Sequence, residues 1–333
     1  MRTRKTTALG AATLAGMLTL GACGAGGGDS DGYTIAFLAA SSQNGYSQAV
    51  YEGIQKAAES ADAEVEVEIL DGQFDANTQL SQLQNATTTG QYDGIVIVPN
   101  DGPSLAAAFP LAEEIPVATV LQPIGSDIND MEPQVEGVTT TVAVSPVAAA
   151  TRQAELVVDG CEDKDPCKVV QILGQLDTPL DTARRDAYEA VFEEAGNIEV
   201  VATTEGGYDR DGAMTAMSNV LQSNRDFDVL ISNNDQDALG ATLAIEAADI
   251  DPSSVFIIGG GGTTEAVEKV KDGTWAADYL NFPVSMGEAA MTQVLNGLEG
   301  DDVEAVVDAD EVGPMDPYVT TETIGDYTGE WDG

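Results

Sequence analysis

Two hydrophobic regimes alternate along most of this chain. The stretch 34–53, TIAFLAASSQNGYSQAVYEG, sets the pattern. It opens with a near-continuous apolar run, as expected of a parallel strand covered on both faces. A short polar loop follows, and then Val50, Ile54 and Ala57 recur at helical spacing. The same alternation predicts a strand at 65–70 (VEVEIL), a helix over 76–90, and a strand at 94–99 (GIVIVP). Next come a helix over 103–115, a strand at 116–121 (PVATVL), a loop rich in Pro, Asp and Glu at 122–137, and a strand at 138–144 (VTTTVAV).

A second set begins after Ser145-Pro146. It predicts helices over 147–160, 181–196, 211–223, 236–248 and 263–271. Between them lie strands at 168–173, 198–204, 228–232 and 254–259, with a last strand at 274–280. At Asn281-Phe282-Pro283 the chain crosses back, and a helix over 284–297 is expected to pack on the first domain. The tail, with Pro317-Tyr318-Val319-Thr320, would finish on the second. Two consecutive βα sets of similar length predict an α/β protein of two similar doubly wound parallel-sheet domains joined by a three-segment hinge. The expected domains are 33–143 with 283–311, and 144–282 with 312–333. Their strand C-termini should face a shared cleft, the default pocket of such folds, and the hinge should let it close around a ligand.

Composition narrows the function. At 333 residues the chain exceeds one typical domain, and 43% apolar content supports real cores. The formal charge is −44. Such acidity argues against nucleic-acid partners, which need clustered Lys and Arg. There is no His, which removes Ser-His and Cys-His catalysis and the commonest metal ligand. No enzyme activity, metal or cofactor is therefore expected.

The first 22 residues have the form of a targeting leader. Arg2, Arg4 and Lys5 precede an apolar run of small residues over 6–20. The run ends in Leu20-Gly21-Ala22-Cys23, which looks like a bacterial lipobox in which Cys23 receives a diacylglycerol. Residues 23–32 (CGAGGGDSDG) would then be a flexible tether to the outer face of the cell membrane. Cys161 and Cys167 sit in CEDKDPC between a helix and a strand. Outside the cell such a pair points to a structural disulfide, and two Cys without His are too few soft ligands for a metal.

Motifs that suggest chemistry are weak. Gly259-Gly260-Gly261-Gly262 follows a strand but lacks the spacing of a phosphate loop, so it reads as a tight turn. Asn233-Asn234-Asp235-Gln236-Asp237 lacks the Gly and Glu of a calcium loop and reads as a strand-end loop and helix cap. Arg184 opens a helix after the loop GQLDTPLDT. It is either half of a surface ion pair with Asp181 or Asp186, or a fork of donors aimed into the cleft. Tyr208, in GGYDR, is either a half-buried core ring or a cover for an apolar ligand face. Trp275 is expected to pack in the core, and Trp331, in the tail, to be peripheral.

Together these residues resemble the ribose/galactose-type periplasmic binding proteins, the extracytoplasmic receptors of ABC importers. The resemblance runs from Tyr33 to about Ile324 and rests on Asn44-Gly45-Tyr46, YDGIVIVPND (92–101), RRDAY (184–188) and GYDR (207–210). NNDQDALG (233–240), IIGGGGTTE (257–265) and NFP (281–283) complete it. It implies a lipid-anchored, monomeric receptor that captures a sugar-like small polar ligand and passes it to an ABC permease and its ATPase. The same fold also implies an alternative, a receptor presenting its closed form to a membrane signalling protein. By the resemblance, Asn44 and Tyr46 contact ligand from the first domain. Arg184, Asn234 and the stacking Tyr208 do so from the second, and Asn281 from a crossing segment. Two positions depart from the family. An Asp-Arg pair is replaced by Leu121-Gln122, and an Asp by Gly261. Those carboxylates accept bonds from adjacent sugar hydroxyls, so the ligand is expected to differ from a plain pentose or hexose. Leu121 would add an apolar contact and Gly261 extra room. If Arg184 is sealed in on closure its charge needs a partner, which Asp177, Asp181, Asp235 or an acidic ligand could supply.

Overall fold

The computed structural model describes residues 32–111 and 115–333. The expected leader, Cys23 and the tether up to residue 31 lie outside the described residues. The first run of elements is β1 (Tyr33–Ala39), α1 (Gly45–Ser60), β2 (Val65–Asp71), α2 (Ala76–Thr88), β3 (Gly94–Ile97), α3 (Gly102–Leu105), β4 (Val117–Val120) and β5 (Thr140–Ala143). The second is α4 (Pro146–Gly160), β6 (Cys167–Leu173), α5 (Pro179–Ala195), β7 (Ile198–Glu205), α6 (Arg210–Val220), β8 (Val229–Ser232), α7 (Asp235–Ala247), β9 (Phe256–Gly260), α8 (Thr264–Lys271) and β10 (Ala277–Tyr279). The chain then adds α9 (Pro283–Glu299), β11 (Val306–Asp308) and β12 (Tyr318–Thr320).

The strands form two six-stranded sheets, ordered β11-β5-β4-β3-β1-β2 and β12-β10-β9-β8-β6-β7. Among the described pairs every one is parallel except β10 with β12. Each sheet therefore winds outward in both directions from its first strand. That places a switch point between β1 and β3 in one lobe, and between β6 and β8 in the other. Burial explains the sequence pattern. The inner strands β3, β4 and β8 are buried at every position, whereas the edge strands β2 and β7 alternate, because at the rim of a sheet the covering helices run out and the outer positions meet solvent.

Helices cover both faces of each sheet. In the first lobe α1 and α9 bury Val50, Ile54, Met286 and Met291 against Ile35 and Phe37. Leu83 and Phe109 cover Leu38 and Ile97 on the other face. The α1–α9 contact is very close. A side chain at Gly53 would collide with the carbonyl of Val284, and one at Gly287 with that of Val50. In the second lobe α6, α7 and α8 cover one face and α4 and α5 the other. Trp275 is fully buried there, and its indole donates to Thr242 Oγ1 at 3.0 Å. Cys161 and Cys167 are joined by a disulfide.

Three expectations change. The helix expected over 103–115 is α3 followed by a 3₁₀ stretch to Leu111, in keeping with Pro110, which has no N–H to continue an α-helical ladder. The strand expected over 274–280 shortens to β10. β11 joins the first sheet beside β5, where its short, partly exposed sequence gives no strong strand signal.

Candidate functional site

A cleft of about 720 Å³, counting its open mouth, lies where the strand C-termini of the two lobes face each other. Helix starts line it. Asn44 caps α1 by accepting from the backbone N–H groups of Tyr46 (3.0 Å) and Ser47 (3.4 Å). Thr178 caps α5 and Asn234 caps α7 in the same way, and all three N-caps belong to the cleft wall. The caps are local chemistry: short oxygens satisfy N–H groups that have no helical partner. Two buried amides hold the strand ends in place. Gln79 donates to Val98 O (2.8 Å) and accepts from Asn100 N (2.7 Å). In the second lobe, Gln153 donates to Ser232 O (2.9 Å) and Gly259 O (2.6 Å).

The cleft brings together Asn44, Tyr46, Leu121, Gln122, Arg184, Tyr208, Asn234 and Asn281, drawn from positions far apart in sequence. Their side chains are not equally available. Asn44 spends its oxygen on the cap and keeps its NH₂ for the cleft. Gln122 is buried and donates to Pro99 O at 2.6 Å. Asn234 is committed more fully. Its oxygen accepts from Asp237 N (2.8 Å), and its NH₂ donates to Asn233 Oδ1 (3.0 Å) and Asp237 Oδ2 (2.7 Å). It shapes the wall more than it reaches out from it. Phe74, Leu121 and Tyr208 all have left-handed backbone conformations, with φ of 52°, 76° and 56°, and all line the cleft. Non-glycine residues are held there at a cost of about 1–3 kcal/mol each, and such strain gathers at ligand clamps. The rings of Phe74 and Tyr208 stack across the cleft with centroids 5.9 Å apart.

Arg184 is tied to Asp181. Its Nη1 donates to Asp181 Oδ1 at 3.2 Å, and among the described residues its other N–H groups make no hydrogen bond. Asp181 has no solvent exposure. It also accepts from Gln175 N (2.6 Å), Tyr208 Oη (2.7 Å) and Asn233 Nδ2 (2.5 Å). Burial works against the Arg184 charge, but the facing oxygens of Tyr208 and Asp181 outweigh it and raise the pKa. Burial likewise raises the Tyr208 hydroxyl, with the Asp181 charge adding to it. Of the partners sequence leaves open for Arg184, Asp181 is the one in contact. The charge is thus answered inside the wall, and among the described residues no Asp or Glu lines the cleft.

Behind the second-lobe wall lies a group of buried carboxyls. Asp235 accepts from Gly260 N (3.0 Å) and Thr263 N (2.8 Å), and burial pushes its pKa up to about 6. Burial and the Asp235 charge push Asp278 well above the usual carboxylate range. Asp237 is raised by burial to about 7.

Two expectations change. Gly261 is not among the residues that line the cleft. A β-carbon there would lie 2.7 Å from Asp235 Oδ2, so the space is filled by that carboxylate. Trp331 is not peripheral: it is buried, lines the cleft, and donates from Nε1 to Gly261 O at 2.8 Å. Sequence reasoning also missed Phe74, Asn100 and Gln175 as lining residues. Asn100 falls within the YDGIVIVPND segment at a strand end, so its position carried a signal. Trp331 carried none.

Residues 35–302 match the family described as periplasmic binding protein domain. The chain is similar to a ribose import binding protein of Haemophilus influenzae, 26% identical over 309 residues, covering 92% of this chain and 98% of the relative. It is also similar to a putative rhizopine-binding protein of Rhizobium meliloti, 26% identical over 257 residues, covering 76% and 80%. Among solved structures, an ABC transporter solute binding protein of Bacillus halodurans with bound myo-inositol superposes with a TM-score of 0.77 at 22% identity, covering 91% of this chain and all of that one. The two-sheet architecture, the interdomain cleft and the match over residues 35–302 agree, and the chain belongs to the periplasmic binding protein family in its type I, ribose/galactose-like form, whose members bind solutes and are not enzymes.

Proposed function

We propose that the protein is the extracytoplasmic solute-binding component of an ABC importer, taking a neutral, sugar-like small polar ligand between its lobes. The observation that carries this reading is the cleft wall itself: amides, stacked aromatic rings and one guanidinium already neutralised by Asp181. Amides bond hydroxyls in either direction, and rings cover the apolar face of a sugar-like ring. The relatives' names, a ribose import binding protein and a putative rhizopine-binding protein, support a small polar solute. Because Asp181 answers Arg184, an anion is not required, and the neutral class is favoured over a sugar acid.

On this reading Asn44, Tyr46, Gln122, Arg184, Tyr208 and Asn281 contact the ligand, Leu121 gives an apolar contact, and Asn234 holds the second-lobe loop. The lobes are 33–143 with 283–311 and 144–282 with 312–333, and closure about their three crossings would seal the cleft, the bound contacts favouring the closed form. A diacylglycerol on Cys23 would hold the monomeric receptor at the membrane beside its permease and ATPase. Among the described residues no helix is long and apolar enough to cross a membrane.

The test is mass spectrometry of solutes that co-purify, with a thermal-shift panel of sugars, polyols and sugar acids. A ligand at ~100 times its dissociation constant stabilises the fold by ~2.7 kcal/mol. A clear shift with a neutral sugar or polyol is expected. Stabilisation by acids alone would overturn the neutral class, and no response to any small polar solute would overturn the receptor reading.

A further inference from the structure

The residues from Gly329 to Gly333 form a strap across one end of the cleft, in contact with both lobes. On the second lobe, Thr263 and Trp331 form an isolated parallel bridge, and Thr264 N donates to Trp331 O at 2.8 Å. On the first, Trp331 packs with Ala49 and Val284 and meets the Tyr46 ring edge-on, centroids 5.9 Å apart. A side chain at Gly45 would collide with Gly333, so the strap also lies against the start of α1. Glu330 anchors it further. Phe282 gives α9 no side-chain cap. Instead Glu330 Oε1 accepts from Val284 N (2.7 Å) and Ser285 N (3.1 Å).

Trp331 is thereby fixed in the wall. Its one polar atom, Nε1, is spent on Gly261 O, so what it offers the cleft is carbon. Beside it, position 261 has no room for a side chain, because Asp235 already fills the space. A carboxylate at this end would accept a pair of ligand hydroxyls. An indole carbon surface instead leaves a facing hydroxyl without a partner once water is expelled.

We propose that Trp331 is a specificity-determining residue of the cleft, and that it selects a solute presenting an unhydroxylated carbon edge to the strap, as a deoxysugar or a methyl-substituted polyol does. This rests on reading the cleft as a solute site. Titration calorimetry tests it with two pairs that each differ by one hydroxyl, D-galactose with D-fucose and L-mannose with L-rhamnose, together with myo-inositol. The proteins compared are the wild type, Trp331→Ala and Trp331→Phe, with melting curves to show that each variant folds. The wild type should prefer the deoxy member of a pair by about tenfold, the discrimination one small group gives in an apolar pocket. Trp331→Ala should weaken every solute the wild type binds by about tenfold or more and erase the preference. Trp331→Phe, which keeps a carbon ring without the N–H, should retain it. If Trp331→Ala does not fold, Trp331→Leu takes its place, losing the ring and its part of the affinity.

Two results overturn the inference and leave the solute-site reading standing: unchanged affinities in the variants, or a wild type that prefers the fully hydroxylated member. A wild type that binds none of these solutes, nor any polyol or sugar acid of the wider panel, removes the reading and the inference together.

Discussion

Replacing Asp181 by Asn keeps its volume and removes the charge that answers Arg184. The carboxylate has no solvent exposure and takes bonds from Gln175 N, Tyr208 Oη, Asn233 Nδ2 and Arg184 Nη1. An amide in its place has one acceptor oxygen and turns an NH₂ toward groups that are themselves donors. The Arg184 side chain, 12% exposed, keeps its charge with no counter-ion. Removing one partner of a buried pair costs about 3–5 kcal/mol, mostly because the other charge is left uncompensated. At ~2–4 °C per kcal/mol for larger domains, the melting temperature should fall by roughly 6–20 °C. Calorimetry on the wild type, Asp181→Asn, Arg184→Met and the double variant reads this out. In the double variant the orphaned charge is gone, so its loss should be smaller than the sum of the single losses by about 1–3 kcal/mol. The binding readout runs in parallel: in Asp181→Asn, D-galacturonate should gain on D-galactose, since the guanidinium then lacks an anion. Strict additivity, or an Asp181→Asn protein melting within about 2 °C of wild type, would refute the idea that Asp181 neutralises Arg184.

Two further outcomes follow from the fold. Burial raises Asp235 to about 6 and Asp237 to about 7, so between the ordinary carboxylate value and about 7 the folded chain holds more protons than the unfolded one. Stability from these groups is present at low pH and lost as pH rises through their folded values; melting temperature should be higher near about pH 5 than near about pH 8. Asp237→Asn should flatten that slope, and circular dichroism melts across the range check it. Gly287→Ala should drive α9 away from the carbonyl of Val50 and destabilise by about 1–3 kcal/mol, the range for overpacking, measured by urea unfolding.

The βα alternation was legible because each strand and helix writes its own period into a few consecutive residues. Buried runs such as GIVIV and VATV mark inner strands, and the alternation in VEVEIL marks an edge. The cap at the start of α7 was legible for the same reason: Asn234 acts on an N–H group three residues away. The short α3 and β11 were less so, since a proline-interrupted run and a three-residue strand leave little periodicity to count.

Sequence by itself determined the two-lobed architecture and the loops at its strand ends, because those follow from local periodicity and the handed winding of parallel sheets. Tertiary structure chose among Asp177, Asp181 and Asp235 as the partner of Arg184, since which carboxyl reaches the guanidinium depends on how the strand-end loops fold together. It alone brought Trp331 against Gly261, 70 residues away in sequence, and so made a tail residue part of the wall. Contacts of that span arise from packing between elements, and no local propensity encodes them.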